Sequence, residues 1–99
     1  MSRPRNSESV FRAIADPTRR RVIDLLRDQE RSVGDLVRTM RLSRAGASHH
    51  LGMLVQAGLV RQRRRGRELV CTVEVRPLVP AFSWLSRHMR RERERTTAP

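Results

Sequence analysis

Apolar positions along this chain recur at helical spacing through its first half, alternate briefly, and then return to helical spacing. Val10, Phe11 and Ile14 follow Ser7, with Glu8 in the first turn, and predict a short helix ending near Ala15. Asp16-Pro17 breaks and restarts the chain. Proline lacks only an N–H that a first helical turn leaves unused, and the Asp16 carboxylate can accept from the free N–H groups that follow. The second helix runs to about Asp28 on a stripe of Val22, Ile23, Leu25 and Leu26, with Arg19, Arg20 and Arg27 largely outside it. Ser32 caps a third helix in which Val33, Leu36, Val37 and Met40 form a core-facing surface. After a tight connection at Arg41-Leu42, Ser43 caps a fourth. Its Ala47, Leu51 and Leu54 fall on one side, and Arg44, Ala45, Ser48, His49 and Gly52 fall on the other.

Ala57-Gly58 ends that helix, glycine being able to take the left-handed turn that satisfies the last carbonyls. The period then changes from helix to strand. Leu59 to Arg64 and Glu68 to Val73 predict two strands joined by a tight turn at Arg65-Gly66, with Leu69, Cys71 and Val73 alternating inward. Pro77 opens a last helix whose apolar seam is Leu78, Phe82, Leu85 and Met89, continued laterally by Val79 and Trp84. The expected fold class is mainly α with a β-hairpin, in the order α-α-α-α-β-β-α. Residues 7–89 form one domain, between a flexible N-terminal arm over 1–6 and a charged flexible tail over 90–99.

Charge narrows the partner. The 99 residues carry 22 basic and 10 acidic side chains, a formal net charge of +12, and lysine does not occur, so every one of those cations is a guanidinium. Such a surface gains counterion-release energy on nucleic acid or on an anionic membrane. No apolar run approaches the roughly 18 residues of a membrane span, and no hydrophobic leader follows Met1-Ser2-Arg3-Pro4-Arg5, so a cytoplasmic protein without a membrane partner is expected. Cys71 is the single cysteine, which excludes an intrachain disulfide and an all-cysteine metal site. With 37% hydrophobic and 3% aromatic residues the core is modest, and a partner chain covering the last seam would enlarge it.

Three short helices, a capped helix with a small polar face and a two-stranded hairpin are the order of a winged helix-turn-helix. The helix beginning at Ser43 is narrow enough on its outer face to enter the major groove of double-stranded DNA, where Ser43, Arg44, Ala45, Ser48 and His49 would meet base edges or phosphate. His50, at the edge of the apolar side, reads as a bracing residue bonded to a backbone or phosphate oxygen. Arg61, Arg63, Arg64, Arg65 and Arg67 put guanidinium groups along the hairpin for phosphates or the adjacent minor groove. Each has a blander reading: Ser48 bonded to a carbonyl in the preceding turn, Arg44 and the hairpin arginines merely solvated. His49 and His50 cannot close one metal site, because neighbours on a helix point about 100° apart.

The chain resembles the ArsR/SmtB-type bacterial transcriptional repressors, in their SdpR-like branch. The entry motif is Phe11-Arg12-Ala13-Ile14-Ala15-Asp16-Pro17-Thr18-Arg19-Arg20, and the recognition-helix segment is SRAGASHHL from Ser43 to Leu51. Gly58-Leu59-Val60 with Arg65-Gly66-Arg67 is similar to the family's wing, and Trp84-Leu85 to its last helix. The resemblance implies a homodimer paired through the first and last helices, here Val10, Phe11, Leu78, Phe82, Leu85 and Met89, which binds an imperfect inverted repeat in its own or a neighbouring promoter. It also sets out departures. Ser32 and Gly34 stand where metal-sensing members carry cysteine, and His88 has Ser83, Trp84 and Leu85 where a ligand partner would sit, so neither metal nor other cofactor is expected.

Two other functions compete. A sensor repressor would release DNA in response to an unidentified small molecule at the dimer seam, or to oxidation of Cys71, although an inward-facing thiol is usually inert. A sequence-tolerant nucleic-acid-binding structural protein would suit the charge, but the chain has only Phe11, Phe82 and Trp84 for base stacking. An enzyme is not supported, since no acid–base pair, activated nucleophile or glycine-rich phosphate loop occurs at usable spacing.

Overall fold

The computed structural model describes residues 7–97. Helices α1 (Ser7–Ile14), α2 (Pro17–Asp28), α3 (Val33–Met40) and α4 (Arg44–Gln56) are followed by strands β2 (Val60–Arg65) and β3 (Glu68–Val73), then a 3-10 turn over Arg76–Leu78 and helix α5 (Val79–Thr97). A two-residue strand, β1 (Arg31–Ser32), precedes α3 and completes an antiparallel sheet in the order β1-β3-β2. The sheet is therefore three-stranded rather than a lone hairpin. A two-residue strand offers no alternation for a sequence pattern to reveal, which is why β1 was not expected.

The junction between α1 and α2 holds the helices together. Asp16 caps α2, its Oδ2 accepting from the backbone N–H of Thr18 at 2.8 Å and of Arg19 at 3.1 Å. Burial alone would raise the Asp16 carboxyl, but these N–H donors, with the charges of Arg19 and of His50 when protonated, hold it below the ordinary carboxylate range. The cap is therefore fully formed at neutral pH and is lost as pH falls through that lowered value.

Arg19 then turns back across the end of α1. Its Nε donates to the Ala13 carbonyl at 2.7 Å and its Nη2 to the Arg12 carbonyl at 2.9 Å, while Arg20 Nη1 donates to the Ile14 carbonyl at 2.8 Å. A helix leaves its last carbonyls unpaired, and two guanidinium groups satisfy three of them here while placing positive charge at the negative end of the α1 dipole. The sequence pattern set Arg19 outside the apolar stripe, yet the structure buries it, with 7% of its surface exposed. The stripe underestimates the interior because a fully hydrogen-bonded guanidinium can enter a core that an unpaired one could not.

Around this junction Val10, Ala13, Val22, Leu26, Leu36, Leu51, Leu54 and Leu59 form the core, joined by Val60, Cys71 and Ala81. Val10, expected on a dimer seam, lies in that interior at 2% exposure, its side chain packed within its own chain. Phe11 and Leu78 are partly buried against the same core. Phe11 also meets Trp84 edge to face at 5.8 Å, docking α5 on α1.

Two boundaries differ from the sequence reading. The hairpin closes through Arg65↔Glu68, so its two-residue turn is Gly66-Arg67, with Gly66 alone taking a positive φ of 63°, as a type II′ turn favours. Helix α5 continues through Thr97 instead of ending near Met89. Arg and Glu are good helix formers, and their spacing supplies pairs such as Arg95–Glu92 at 3.8 Å. The expected arm over residues 1–6 and the last two residues of the expected tail lie outside the described residues.

Replacing Arg19 by Ala should lower stability by about 2–3 kcal/mol, because buried carbonyls lose charged donors, and Arg19→Lys should not restore it, since one ammonium cannot reproduce the fork. Arg20→Ala, at an exposed bond, should cost below about 1 kcal/mol. Urea unfolding at one fixed protein concentration checks the ranking.

Candidate nucleic-acid interface

Helix α4 is presented by its cap and by the turn before it. Arg41 takes a left-handed conformation at φ 56°, which reverses the chain between α3 and α4 in very few residues. The Ser43 hydroxyl then accepts from the Gly46 N–H at 2.9 Å, so this side chain is committed to the helix cap. Arg44, Ala45, Ser48, His49 and Gly52 are exposed, while Ala47, Leu51 and Leu54 are buried. Burying three apolar side chains on one side fixes the rotation of the helix about its axis and leaves the opposite face slim.

His50 sits between these two faces and is tied to the α1–α2 junction. Its Nδ1 lies 3.2 Å from Arg19 Nη1 and 3.9 Å from Asp16 Oδ2. A guanidinium only donates, so in this contact Nδ1 is the acceptor. The expected bracing partner was a backbone or phosphate oxygen; the partner observed is Arg19. One buried arginine thus links the end of α1, the start of α2 and the middle of α4.

The hairpin arginines do not act as one cluster, because strand alternation divides them. Arg64 pairs across the ladder with Leu69, and Gln62 with Cys71, on one face of the sheet; Arg63 and Arg65 pair with Val70 and Glu68 on the other. On that second face Glu30 collects both cations: Arg63 Nη2 lies 2.7 and 2.8 Å from its two carboxylate oxygens, and Arg65 Nη1 lies 3.4 Å from one of them. Arg44, Arg64 and Arg67 form no ion pair among the described residues. Arg44, Ser48 and Gly52 of α4 face Gln62, Arg67 and Leu69 of the wing across an open groove of about 800 Å³. Sequence reasoning missed Glu30 and Arg19. Nothing in the local pattern around Glu30 shows that a strand far along the chain will be laid beside it, whereas the Asp-Pro-Thr-Arg-Arg string did mark the helix junction.

Comparison with known proteins agrees with this geometry. A family profile described as a helix-turn-helix domain matches residues 14–63. The chain is 34% identical over 77 residues to the transcriptional repressor SdpR of Bacillus subtilis (strain 168), covering 78% of this chain and 86% of that one. The chain belongs to the ArsR/SmtB family of winged helix-turn-helix repressors. A transcriptional repressor described as an SmtB homologue in Synechocystis is 42% identical over 59 residues, 60% of this chain and 45% of that protein. An ArsR-like transcriptional regulator from Rhodococcus sp. RHA1 shares the fold with a TM-score of 0.78 at 28% identity, covering 90% of this chain and 82% of that one. Against several other curated relatives the chain spans about half their length.

The chain is a DNA-binding transcriptional repressor, and regulators of its family bind double-stranded DNA and are not enzymes. Among the described residues no helix is long and apolar enough to cross a membrane. Its residues do not fit a metal at the positions where metal-sensing relatives carry ligands. The Ser32 hydroxyl is engaged by the Asp35 N–H at 3.0 Å, Gly34 has no side chain, and the His88 ring lies against Trp84 with centroids 4.4 Å apart. Among the described residues no three His, Cys, Asp or Glu side chains gather as a metal site.

Cys71 is fully buried, and burial pushes its thiol pKa up, against a smaller lowering by the Gln62 amide. A raised pKa and no access both suppress thiolate chemistry. The folded repressor should therefore react with an aromatic disulfide reagent far more slowly than the urea-unfolded chain; equal rates would return Cys71 to consideration as a redox sensor.

Proposed function

We propose that this repressor is a cytoplasmic homodimer that binds an imperfect inverted repeat in its own or a neighbouring promoter. The observation that carries the reading is the exposed small-residue face of α4 on a helix whose rotation is locked by Ala47, Leu51 and Leu54. Arg44, Ser48 and His49 reach base edges from that face, and Ala45 allows close approach. Ser43 serves by ordering the first turn, whose free N–H groups suit a phosphate, and His50 by bracing the helix through Arg19. Arg64 and Arg67 are two wing cations left free to meet flanking phosphates.

Dimerisation is supported by the last helix. Phe82, Leu85 and Met89 lie on one flank of α5 and are 69%, 46% and 61% exposed. An apolar flank of this size is costly to leave in water, and a second copy covers it symmetrically. Leu78 and Phe11 back that flank from the core side, next to Trp84. Two-fold pairing would set the two α4 helices about 34 Å apart, one turn of duplex, which is why the target is expected to be an inverted repeat. With about eight phosphates neutralised, the logarithm of the binding constant should fall with the logarithm of salt concentration at a slope near −7. The reading requires no effector.

Footprinting on the upstream region identifies the operator, after which variants separate the roles. Arg44→Ala and His49→Ala should each weaken operator binding by about 1–3 kcal/mol while leaving random duplex nearly unaffected. Arg64→Ala should weaken both alike and make the salt slope shallower by about one unit. An equal loss on random duplex for His49→Ala would remove it from base reading. Leu85→Asp should give monomers in sedimentation, and persistence of the dimer would take α5 out of the interface.

A further inference from the structure

We propose that Glu30 withholds Arg63 and Arg65 from DNA, acting as a built-in competitor of phosphate on one face of the wing. The proposal rests on the DNA-binding surface described above and concerns how strongly its wing engages.

Glu30 lies in the short connection between α2, which ends at Asp28, and β1, which starts at Arg31. Pairing of β1 with β3 fixes that connection beside the sheet, so the carboxylate is brought to the same face as Arg63 and Arg65. Arg63 spans both carboxylate oxygens through one nitrogen and Arg65 shares one of them. A phosphate presents the same feature to a guanidinium, an anionic pair of oxygens, and so competes for the same N–H donors. With side chains 40–64% exposed, the cluster is open to solvent and its partners can be exchanged, since exposed pairs are worth at most about 1 kcal/mol. Where a duplex reaches that face of the wing, the carboxylate would in turn repel its backbone. Both effects weaken binding without regard to sequence, because phosphate contacts carry none. Arg64 and Arg67 escape this restraint, Arg64 because alternation turns it to the opposite face and Arg67 because it lies in the turn.

Glu30→Gln removes the charge and keeps the shape. On a random-sequence duplex the full-length variant should bind about two- to fivefold tighter than the parent at moderate salt, with a salt slope steeper by about one unit. The gain should disappear when the same substitution is made in a chain already carrying Arg63→Ala and Arg65→Ala. Unchanged or weaker binding by Glu30→Gln would overturn the proposal and make Glu30 a support for the wing. A gain of the same size in the background lacking Arg63 and Arg65 would overturn it as well, reducing the effect to net charge. If the parent binds no duplex at all, the DNA-binding surface falls with it, and the two failures are distinguishable.

Discussion

The position of α4 depends on a single buried guanidinium. Arg19 satisfies two carbonyls at the end of α1 and holds the ring of His50 in α4, while its own backbone N–H completes the Asp16 cap of α2. Few side chains could do this. Three separate acceptors lie in different directions, and only a planar group with several fixed donors reaches them together at low entropic cost. Among the described residues no buried side-chain polar atom is left without a partner, so the interior tolerates this charge because every donor direction it uses is answered.

From that junction the rest of the surface follows. The core residues of α4 set its rotation, His50 limits its sliding, and the left-handed Arg41 with the Ser43 cap sets where it begins. β1 performs the matching service for the wing, since Arg31 and Ser32 pair with Cys71 and Val70 in the central strand while Ser32 also caps α3. Arg31 adds a bond to Asp35 at 2.9 Å, which ties the base of the wing to the start of α3. The groove between α4 and the wing is thus held on the α4 side by packed side chains, the Ser43 cap and the Arg19–His50 contact, and on the wing side by strand pairing.

A net charge of +12 overstates the cation available to a duplex. Arg19 and Arg20 are occupied by carbonyls, Arg31 by Asp35, and Arg63 and Arg65 by Glu30. Of the cations that line the groove, Arg38 lies 3.9 Å from Asp35, whereas Arg44 and Arg67 form no ion pair among the described residues, and Arg64 shares the face of the wing that carries Gln62 and Leu69. A protein that must distinguish one site among many gains from this restraint, because excess phosphate contact raises affinity for every sequence equally.

The elements themselves were written in the local pattern. Helical spacing, the Asp16, Ser32 and Ser43 caps and the glycines at 58 and 66 mark four of the helices and the hairpin, because each depends on neighbours a few residues away. The exposed face of α4 was legible for the same reason, a stripe opposite three apolar positions. Tertiary structure alone decided the rest: that Arg19 goes inside, that Val10 faces the core, that two residues at 31–32 become a strand, and that Glu30 meets arginines more than thirty residues away. These outcomes depend on which distant backbone groups and charges are brought within hydrogen-bonding reach, and periodicity along a chain carries no record of such distances.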